Sequence, residues 1–472
     1  MTLELAGVGA YAPQTYVTAE TIREAWGQFG GDGIQQTSVT GADEDTLTMG
    51  YEAATRALSA ADIDAEAVTT LIFGTTTPPN EEESATARLA SFLGLTDDVA
   101  TTQLTGSANA GVNGLTLGLD AGPGETVLVV ASDAPLGAPD SDVEHAAGAG
   151  AAAVVLSEGG TAVVTDRATH TATYPGTRFR PAGESETRSL GVTQYDRQAY
   201  RETVSGAVSE LGADTDVDAA AVGGPDGKLP YRATSELGVD AETIQAGATV
   251  HELGDTGAAM PLLGLAKALD NGADHILVVG YGSGSKATAA VIDGSVPTES
   301  DRDGTVELSY GEYLRIRGVV TPGEPDGGGA YVSVPSWRRT LPQRHRLVAG
   351  QCAACESLAF PPEGACSSCG TLDSYELVAL PGTGTVEAAT VIGQGGAPPE
   401  FVEQQARDGS YVSAVVALDG PDGGTVSAPM QVVDTDEKPA IGDALTATIR
   451  RVYTQEGVTR YGTKMRPADN GR

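Results

Sequence analysis

This chain is poor in cysteine. Only four occur among its 472 residues, and all lie within residues 352–369. Chemistry that depends on a cysteine nucleophile, such as formation of an acyl-enzyme thioester, is therefore excluded from residues 1–351.

Lysine is also scarce, and aromatic residues are few. The chain has five lysines, and its 64 acidic residues against 28 Lys and Arg give a formal charge of −36. Such a surface repels nucleic acid, and an aromatic content of 5% leaves few side chains on which bases could stack. High acidity with little lysine is typical of proteins that work in molar salt, where ions screen charges over about 3 Å. We therefore predict a halophilic protein that binds no nucleic acid.

Long hydrophobic runs are missing too. The apolar runs, such as residues 127–130 and 276–279, are far shorter than the roughly 20 residues needed to cross a bilayer. Together with the lack of a recognisable secretory segment, this predicts a cytoplasmic protein that makes no membrane contact. The short runs recur along the chain and 40% of residues are hydrophobic, which favours two or three folded domains over a disordered acidic chain.

The few cysteines form one cluster with regular spacing. The pattern C-x2-C-x10-C-x2-C is made by Cys352, Cys355, Cys366 and Cys369. Two such knuckles can present four thiolates tetrahedrally to one Zn²⁺. Two disulfides or four buried thiols are the alternatives, but a single cysteine pair does not explain two knuckles. We predict a zinc ribbon at residues 348–378 in which the metal is structural.

An internal repeat occupies the first 293 residues. Each copy has a Gly/Ala-rich helical pattern followed by two apolar strands, at residues 106–120, 125–132 and 151–156 and again at 254–270, 274–281 and 287–292. Continuous apolar strands separated by helices indicate sheets that are covered on both faces. Small residues on the two matching helices would let these helices pack closely at the centre. The sequence therefore predicts a layered α/β fold built by duplication.

The pattern changes beyond about residue 379. Short strand candidates at residues 384–392, 411–418, 428–433 and 444–453 are separated by turn signals. Regularly spaced short strands predict a small β-barrel of the oligonucleotide/oligosaccharide-binding (OB) type at residues 379–472. Residues 294–347 are interpreted as a connecting region that carries a basic helix.

Residues 1–293 resemble the thiolase superfamily, and within it the archaeal type of 3-hydroxy-3-methylglutaryl-CoA synthase. The resemblance rests on the segments GSANAG at 106–111, ASD at 131–133, EHAAGAG at 144–150, GPDGKLP at 224–230, GDTG at 254–257 and YGSG at 281–284. It implies a layered αβαβα fold whose two halves span residues 1–165 and 166–293, an acyl-CoA ligand and a homodimer formed through this domain.

Residues 335–467 are similar to the zinc-ribbon/β-barrel proteins known as DUF35. The matching phrases are Trp337-Arg-Arg, then Arg346-Leu-Val, then Ala359-Phe-Pro-Pro in the ribbon. Proteins of that group accompany thiolase-fold enzymes of acyl-CoA metabolism. The similarity therefore implies a thiolase or a synthase as a partner protein.

The synthase resemblance implies three catalytic groups, and the matching positions lack all of them. These enzymes use a cysteine that becomes acylated, a glutamate that deprotonates the acetyl methyl group and a histidine that assists the acyl acceptor. The corresponding positions are Ala108, Thr76 and Gly223. Ser107 adjoins the first position, but a serine needs an adjacent base. The sequence therefore assigns no catalytic residue, and the catalytic residues are unknown from it.

Two features of a coenzyme A site remain by resemblance. Lys228 matches the position that contacts coenzyme A phosphates, and a solvated surface lysine is the alternative. Ser283 would line the acyl pocket, because the neighbouring glycines let the backbone approach an acyl group. His251 is interpreted as a loop histidine with satisfied hydrogen bonds.

The leading hypothesis is a synthase-like acyl-CoA-binding protein without the catalytic triad, acting as a non-catalytic or scaffolding subunit of isoprenoid or lipid metabolism. The alternative is a thiolase-fold enzyme of different chemistry. It would be a retro-aldolase that uses tyrosines on a β-hydroxyacyl-CoA, or an acyltransferase with an unrecognised nucleophile. The tyrosines near the family motifs are Tyr231, Tyr281, Tyr310 and Tyr313.

The acidic composition makes a testable prediction about stability. Close acidic groups repel one another in dilute buffer, and salt screens that repulsion. The melting temperature should therefore rise as KCl increases into the molar range, measured by circular dichroism. A midpoint that does not change with salt would show that the acidic surface is not an adaptation to high salt.

Overall fold

The computed structural model describes residues 3–213, 216–320, 332–372, 374–393, 401–435 and 437–468. The chain divides into two compact units. The first comprises Met1–Gly41 and Asp45–Tyr313, and the second comprises Ala42–Glu44 and Leu314–Arg472.

The first unit mixes strands and helices along its whole length. Its strands are β1 (Glu4–Tyr11), β2 (Thr15–Thr18), β3 (Gln36–Val39), β4 (Thr70–Gly74), β5 (Ala100–Leu104), β6 (Val127–Asp133), β7 (Gly150–Ser157), β8 (Ala162–Tyr174), β9 (Ala219–Val222), β10 (His275–Gly282), β11 (Gly284–Gly294), β12 (Thr298–Asp301) and β13 (Val306–Glu307). Its helices are α1 (Ala19–Trp26), α2 (Thr46–Ala61), α3 (Thr86–Leu93), α4 (Ala110–Gly118), α5 (Asp142–Ala146), α6 (Thr193–Ser209), α7 (Leu229–Arg232), α8 (Thr234–Leu237), α9 (Ala241–Gly247), α10 (Val250–Leu253) and α11 (Met260–Asp270), and α12 (Tyr310–Ile316) begins at its end.

The sheet of the first unit confirms the duplication. Its strand order is β5-β4-β6-β7-β1-β8-β11-β10-β9, with β12 beside β1. In one half, β4 and β6 are parallel while β7 and β1 continue antiparallel. In the other half, β9 and β10 are parallel while β11 and β8 continue antiparallel. The two halves thus repeat one arrangement of four strands, as the sequence repeat predicts.

Helix α2 packs directly onto the backbone of β1. The helix begins at a capping box, in which Asp45 accepts hydrogen bonds from the amides of Leu47 and Thr48. Glycine at positions 7 and 9 makes the close packing possible. A Cβ atom at Gly7 would lie 2.6 Å from the carbonyl oxygen of Ala57, and one at Gly9 would lie 2.1 Å from that of Ala53.

The two Gly/Ala-rich helices of the repeat are α4 and α11, and they lie in the largest buried cluster. Val112 and Leu115 of α4 and Leu262 and Leu265 of α11 are fully buried there. The turn that enters α11 approaches α4 so closely that a Cβ at Gly111 would lie 2.2 Å from the carbonyl oxygen of Ala258. The predicted close packing at the centre of the fold is confirmed, and it requires glycine at this contact.

The second unit contains a small sheet and a barrel. Its strands are β14 (Val348–Cys352), β15 (Leu358–Ala359), β16 (Tyr375–Ala379), β17 (Thr383–Ile392), β18 (Tyr411–Asp419), β19 (Thr425–Val432), β20 (Ala444–Gln455) and β21 (Val458–Pro467), and its helices are α13 (Val334–Arg339), α14 (Leu341–Arg346) and α15 (Val402–Asp408). Five strands close the barrel in the order β17-β18-β19-β21-β20, which confirms the predicted small barrel.

The basic cluster predicted for the connecting region belongs to α13 and α14. The guanidinium of Arg344 lies 4.3 Å from the ring centroid of buried Trp337, and that of Arg460 lies 4.9 Å away. Both distances are within the range of cation–π attraction. These two arginines therefore stabilise the packing around the tryptophan. Residues 321–331 of the connecting region lie outside the described residues.

Charged side chains are buried within the second unit and paired there. Lys464 donates to Asp43 at 2.7 Å, and Arg450, which is fully buried, lies 2.9 Å from Asp434. Burial alone would raise the pKa of Asp43, but attraction to Lys464 and Arg450 outweighs it and lowers that pKa. Burial lowers the pKa of Lys464 against the same attraction. The direct contact between Lys464 and Asp43 favours the ionised pair.

The four cysteines come together at the end of β14, beside the small sheet of the second unit, whose order is β15-β14-β16. Their sulfur atoms all lie within 4.8 Å of one another, with Cys352 and Cys369 3.7 Å apart and Cys355 and Cys366 3.6 Å apart. Tetrahedral zinc with Zn–S bonds of about 2.3 Å places its sulfurs about 3.8 Å apart. The donor set and its spacing therefore fit one zinc ion.

Among the described residues, no helix has the length and apolar character of a bilayer span.

We expect one zinc ion per chain. Removing the ion with a chelator, or replacing Cys366 with serine, should lower the melting temperature, because binding energy at a four-thiolate site contributes to folding. Metal analysis by mass spectrometry measures the stoichiometry, and Ser367→Ala in the same knuckle is the matched control. A protein without zinc that melts at the same temperature as the wild type would contradict this expectation.

Candidate functional site

A cavity of about 240 Å³ lies in the first unit. Its wall is formed mainly by residues that follow β8, β9 and β10 and by residues of α5, α6 and α7. Residues just before α4 and α11 complete it. Binding sites in α/β proteins commonly form at the carboxyl ends of strands, where the loops converge. This cavity is therefore the candidate functional site.

Two of the three positions that the resemblance assigns to catalysis meet in this cavity. Ala108, just before α4, and Gly223, just after β9, both line its wall. They contribute a methyl group and a hydrogen atom, so neither offers a nucleophile or an acid. Their small size leaves space where larger side chains would stand.

The third position, Thr76, contacts a buried carboxylate. Its hydroxyl donates to Asp133 at 3.0 Å, and its backbone amide donates to the same side chain at 2.7 Å. Asp133 also accepts from the hydroxyls of Thr75 and Thr77 and, on its other oxygen, from the amide of Ala258. Asp133 thus fixes the turn after β4 against the turn before α11, and the Thr76 hydroxyl serves this structural contact.

An ion pair crosses one wall of the cavity. Arg178, in the segment after β8, pairs with Asp255, in the turn before α11. The side chain of Arg178 is 15% exposed and that of Asp255 is 7% exposed. The other carboxylate oxygen of Asp255 accepts from the amide of Gly257 at 2.9 Å. Burial lowers the pKa of Arg178, and the charge of Asp133 offsets part of that effect.

Two tyrosines form another part of the wall. The rings of Tyr200 and Tyr281 meet edge to face with centroids 4.9 Å apart. The Tyr200 hydroxyl donates to the carbonyl oxygen of Gly223 at 2.9 Å, and the Tyr281 hydroxyl lies 3.1 Å from that of Ser285. Burial raises the pKa of both phenols, and the charge of Asp226 adds to the effect at Tyr200. Both hydroxyls therefore remain protonated at neutral pH.

Asp196 is a further partly buried carboxyl group of the wall. It lies in the first turn of α6 and lines the cavity. Its Oδ1 atom is buried and has no hydrogen-bond partner among the described residues. Burial raises the pKa of this carboxyl. A buried acceptor without a donor costs free energy, so the group is available to a ligand.

The two residues predicted for coenzyme A contact lie in or beside this cavity. Ser283 lines the wall at the end of β10. Lys228 is the residue just before α7, and its side chain is 48% exposed. Its Nζ atom donates to Asp32 at 2.7 Å, and Asp32 is itself a wall residue that Arg232 also approaches at 3.9 Å.

Among the tyrosines near the family motifs, only Tyr281 lies in the described cavity wall. Tyr231 lies 2.8 Å from Nε2 of His251, whose Nδ1 lies 2.6 Å from the carbonyl oxygen of Gly33. Both ring nitrogens of His251 are thus occupied by protein groups. Tyr310 contacts Trp26 instead, at 2.6 Å.

Sequence reasoning missed three wall residues, Arg178, Asp196 and Tyr200. Tyr200 is a buried residue on one face of α6, a pattern that also fits ordinary core packing. Arg178 lies in an irregular segment that has no periodic pattern. Neither the segment around Arg178 nor the first turn of α6 carries a local pattern that marks a binding residue.

Known proteins are similar in sequence to both parts of this chain. Residues 339–373 match the family described as "ChsH2, rubredoxin-like zinc ribbon domain". A hydroxymethylglutaryl-CoA synthase of Aeropyrum pernix is 31% identical over 338 residues, which cover 66% of this chain and 93% of the relative. That of Methanopyrus kandleri is 30% identical, covering 68% of this chain and 95% of the relative.

Solved structures agree on the fold. A structure of MvaS in complex with 3-hydroxy-3-methylglutaryl coenzyme A superposes with a TM-score of 0.58 at 20% identity, covering 70% of this chain and 94% of the other. A synthase complexed with CoA gives a TM-score of 0.60 at 18% identity, with 71% and 94% covered. These likenesses show the thiolase-like αβ fold, and the closer sequence relatives show the family. The chain belongs to the hydroxymethylglutaryl-CoA synthase family.

Proposed function

We propose that the first unit binds an acyl-CoA thioester in this cavity and does not perform the cysteine-dependent condensation. The observation that carries the proposal is that Ala108 and Gly223 line the same cavity, while the Thr76 hydroxyl donates to Asp133. A condensation that passes through an acyl-enzyme needs a nucleophile and a base. The cavity keeps room for an acyl group but supplies neither group at these positions.

The relatives support the choice of ligand. Their names describe synthases of hydroxymethylglutaryl-CoA, and two of the similar structures contain 3-hydroxy-3-methylglutaryl coenzyme A and CoA. Residues beside the cavity fit the coenzyme. Lys228 and Arg232 both approach Asp32, so two cationic side chains stand at this edge of the cavity, where they would contact a phosphate. Ser283 offers a hydroxyl on the wall where the acyl group would lie.

The second unit suggests how such a protein is used. A four-cysteine zinc site has no open coordination position and therefore holds structure instead of performing chemistry. A matched zinc ribbon joined to a closed barrel fits a module that contacts another protein. We propose that the chain is a non-catalytic or scaffolding subunit of acyl-CoA metabolism in the cytoplasm. It would form a homodimer through the first unit and have a thiolase or synthase as partner.

One group of residues favours a second candidate function, a retro-aldolase acting on a β-hydroxyacyl-CoA. Asp196, Tyr200 and Tyr281 line the same cavity. In that reaction a base takes the proton of the β-hydroxyl, the bond between the α and β carbons breaks, and a carbonyl compound leaves. The enolate of the shortened acyl-CoA then takes a proton from an acid. Release of acetyl-CoA from 3-hydroxybutyryl-CoA would support this function over the scaffold.

The proposal predicts that no acyl-enzyme forms. Incubation with labelled acetyl-CoA should leave residues 1–293 unlabelled by mass spectrometry, and addition of acetoacetyl-CoA should give no condensation product. Ala108→Cys alone should restore no turnover, because catalytic groups that act together are strongly non-additive. Covalent label on any residue of the first unit would contradict the proposal and indicate an unrecognised nucleophile.

The assignment of Lys228 makes a separate prediction. Lys228→Ala should weaken binding of coenzyme A by about twofold to fivefold, because the lysine is half exposed and an exposed charge contact contributes little. Isothermal titration calorimetry in fixed salt measures the change. Lys438→Ala, which removes an exposed lysine from the second unit, is the matched control. Equal affinities for both variants and the wild type would remove Lys228 from the site.

A further inference from the structure

The wall of the cavity carries five aspartates, and most of them are already engaged. They are Asp32, Asp142, Asp196, Asp226 and Asp255. Asp32 pairs with Lys228, and Asp255 pairs with Arg178. Asp226 accepts from the amides of Lys228 and Leu229, both at 2.7 Å. Asp142 is exposed. Asp196 differs from these four because its Oδ1 atom is buried without a hydrogen-bond partner among the described residues, so it has capacity left for a ligand.

The neighbours of Asp196 do not use that capacity. The Tyr200 hydroxyl donates to Gly223, and the Tyr281 hydroxyl is placed beside Ser285. The Oδ1 atom of Asp196 is buried without a partner in the part of the chain that the structure describes. An unpaired buried acceptor is unfavourable, so a donor brought by a ligand would be bound there with a net gain.

A hydroxyl group fits this position better than a cation does. Burial raises the pKa of Asp196, which means that its surroundings disfavour the ionised form. A hydroxyl can donate to the carboxylate and can also accept from the protonated acid, so it satisfies the group in either state. The small side chains at Ala108 and Gly223 leave room for a branched or substituted acyl carbon.

A second group without a full set of partners lies on the same wall. The Nη2 atom of Arg178 is buried and has no hydrogen-bond partner among the described residues, although its other nitrogen pairs with Asp255. This nitrogen is a donor, whereas Asp196 offers an acceptor. The wall therefore suits an acyl group that has both an oxygen to accept a hydrogen bond and a hydroxyl to donate one.

We propose that Asp196 makes the cavity selective for acyl thioesters that carry a hydroxyl group on the acyl chain, with Arg178 binding an acyl oxygen that all acyl thioesters share. This inference rests on the proposed binding of acyl-CoA in the same cavity. Asp196 is then a specificity-determining residue of the site, and its role in recognition does not require any catalysis.

The test uses two probes that differ in one hydroxyl, 3-hydroxybutyryl-CoA and butyryl-CoA. Isothermal titration of the full chain with each probe gives their ratio of dissociation constants. We expect the wild type to bind the hydroxylated probe about tenfold more tightly, which is the effect of pairing one buried polar group. Asp196→Ala should reduce the ratio to within about twofold. Arg178→Lys keeps the charge opposite Asp255. It should weaken the binding of both probes by the same factor and leave the ratio of dissociation constants unchanged.

Matched variants separate recognition from folding. Glu202→Ala removes a carboxylate from the same helix, α6, and should retain the wild-type ratio. Asp196→Asn keeps an acceptor oxygen and should retain part of the preference, and it provides the test if the alanine variant does not fold. Circular dichroism melting checks each variant.

The outcomes distinguish this inference from the proposed function. If neither probe binds the wild type, acyl-CoA binding itself is wrong and the inference falls with it. If both bind with equal affinity, acyl-CoA binding stands and selectivity for a hydroxyl is overturned. If Asp196→Ala weakens both probes equally, Asp196 contacts the shared pantetheine portion and the inference is also overturned.

Discussion

Backbone contact between the start of α4 and the turn before α11 is the constraint on which the first unit depends. At Gly111 even one added carbon would lie 2.2 Å from the carbonyl oxygen of Ala258. Asp133 reinforces the contact, because one carboxylate binds both the turn after β4 and the amide of Ala258. Ala108 lies just before α4 and Asp255 lies in the turn before α11, so this contact helps to position two residues of the cavity wall. The cavity is thus a product of central packing, which is independent of any catalytic side chain.

That independence means that the fold does not require a cysteine, glutamate or histidine at Ala108, Thr76 or Gly223, the positions that the resemblance assigns to catalysis. The packing contacts use glycine, backbone carbonyls and Asp133, and none of them needs a cysteine, glutamate or histidine. The wall also carries several polar side chains. Arg178 and Asp255 neutralise one another, and the Tyr200 hydroxyl donates to the carbonyl oxygen of Gly223. The fold is retained, and the chemistry available to a ligand is set by these side chains.

The second unit is stabilised by different means. Its ribbon is small, and short strands such as β15 bury little apolar surface, so a metal held by four thiolates would supply stability that packing does not. Its barrel has an apolar interior that includes Val416, Leu418 and Met465. The buried pairs made by Lys464 and Arg450 need their partners, because an unpaired charge at these positions would be strongly destabilising.

The sequence alone determined the features that depend on local spacing. The spacing of the four cysteines predicted the ribbon, the repeated helix–strand–strand pattern predicted the duplicated α/β fold, and the short strands after residue 379 predicted the barrel. Each of these patterns depends on residues that are close to one another in the sequence. The absence of a cysteine nucleophile followed from composition. Only the tertiary structure brought together Arg178, Asp196 and Tyr200, which come from an irregular segment and from α6. Their proximity in space depends on how segments that are distant in the sequence pack around a central glycine contact, and no local sequence pattern encodes that packing.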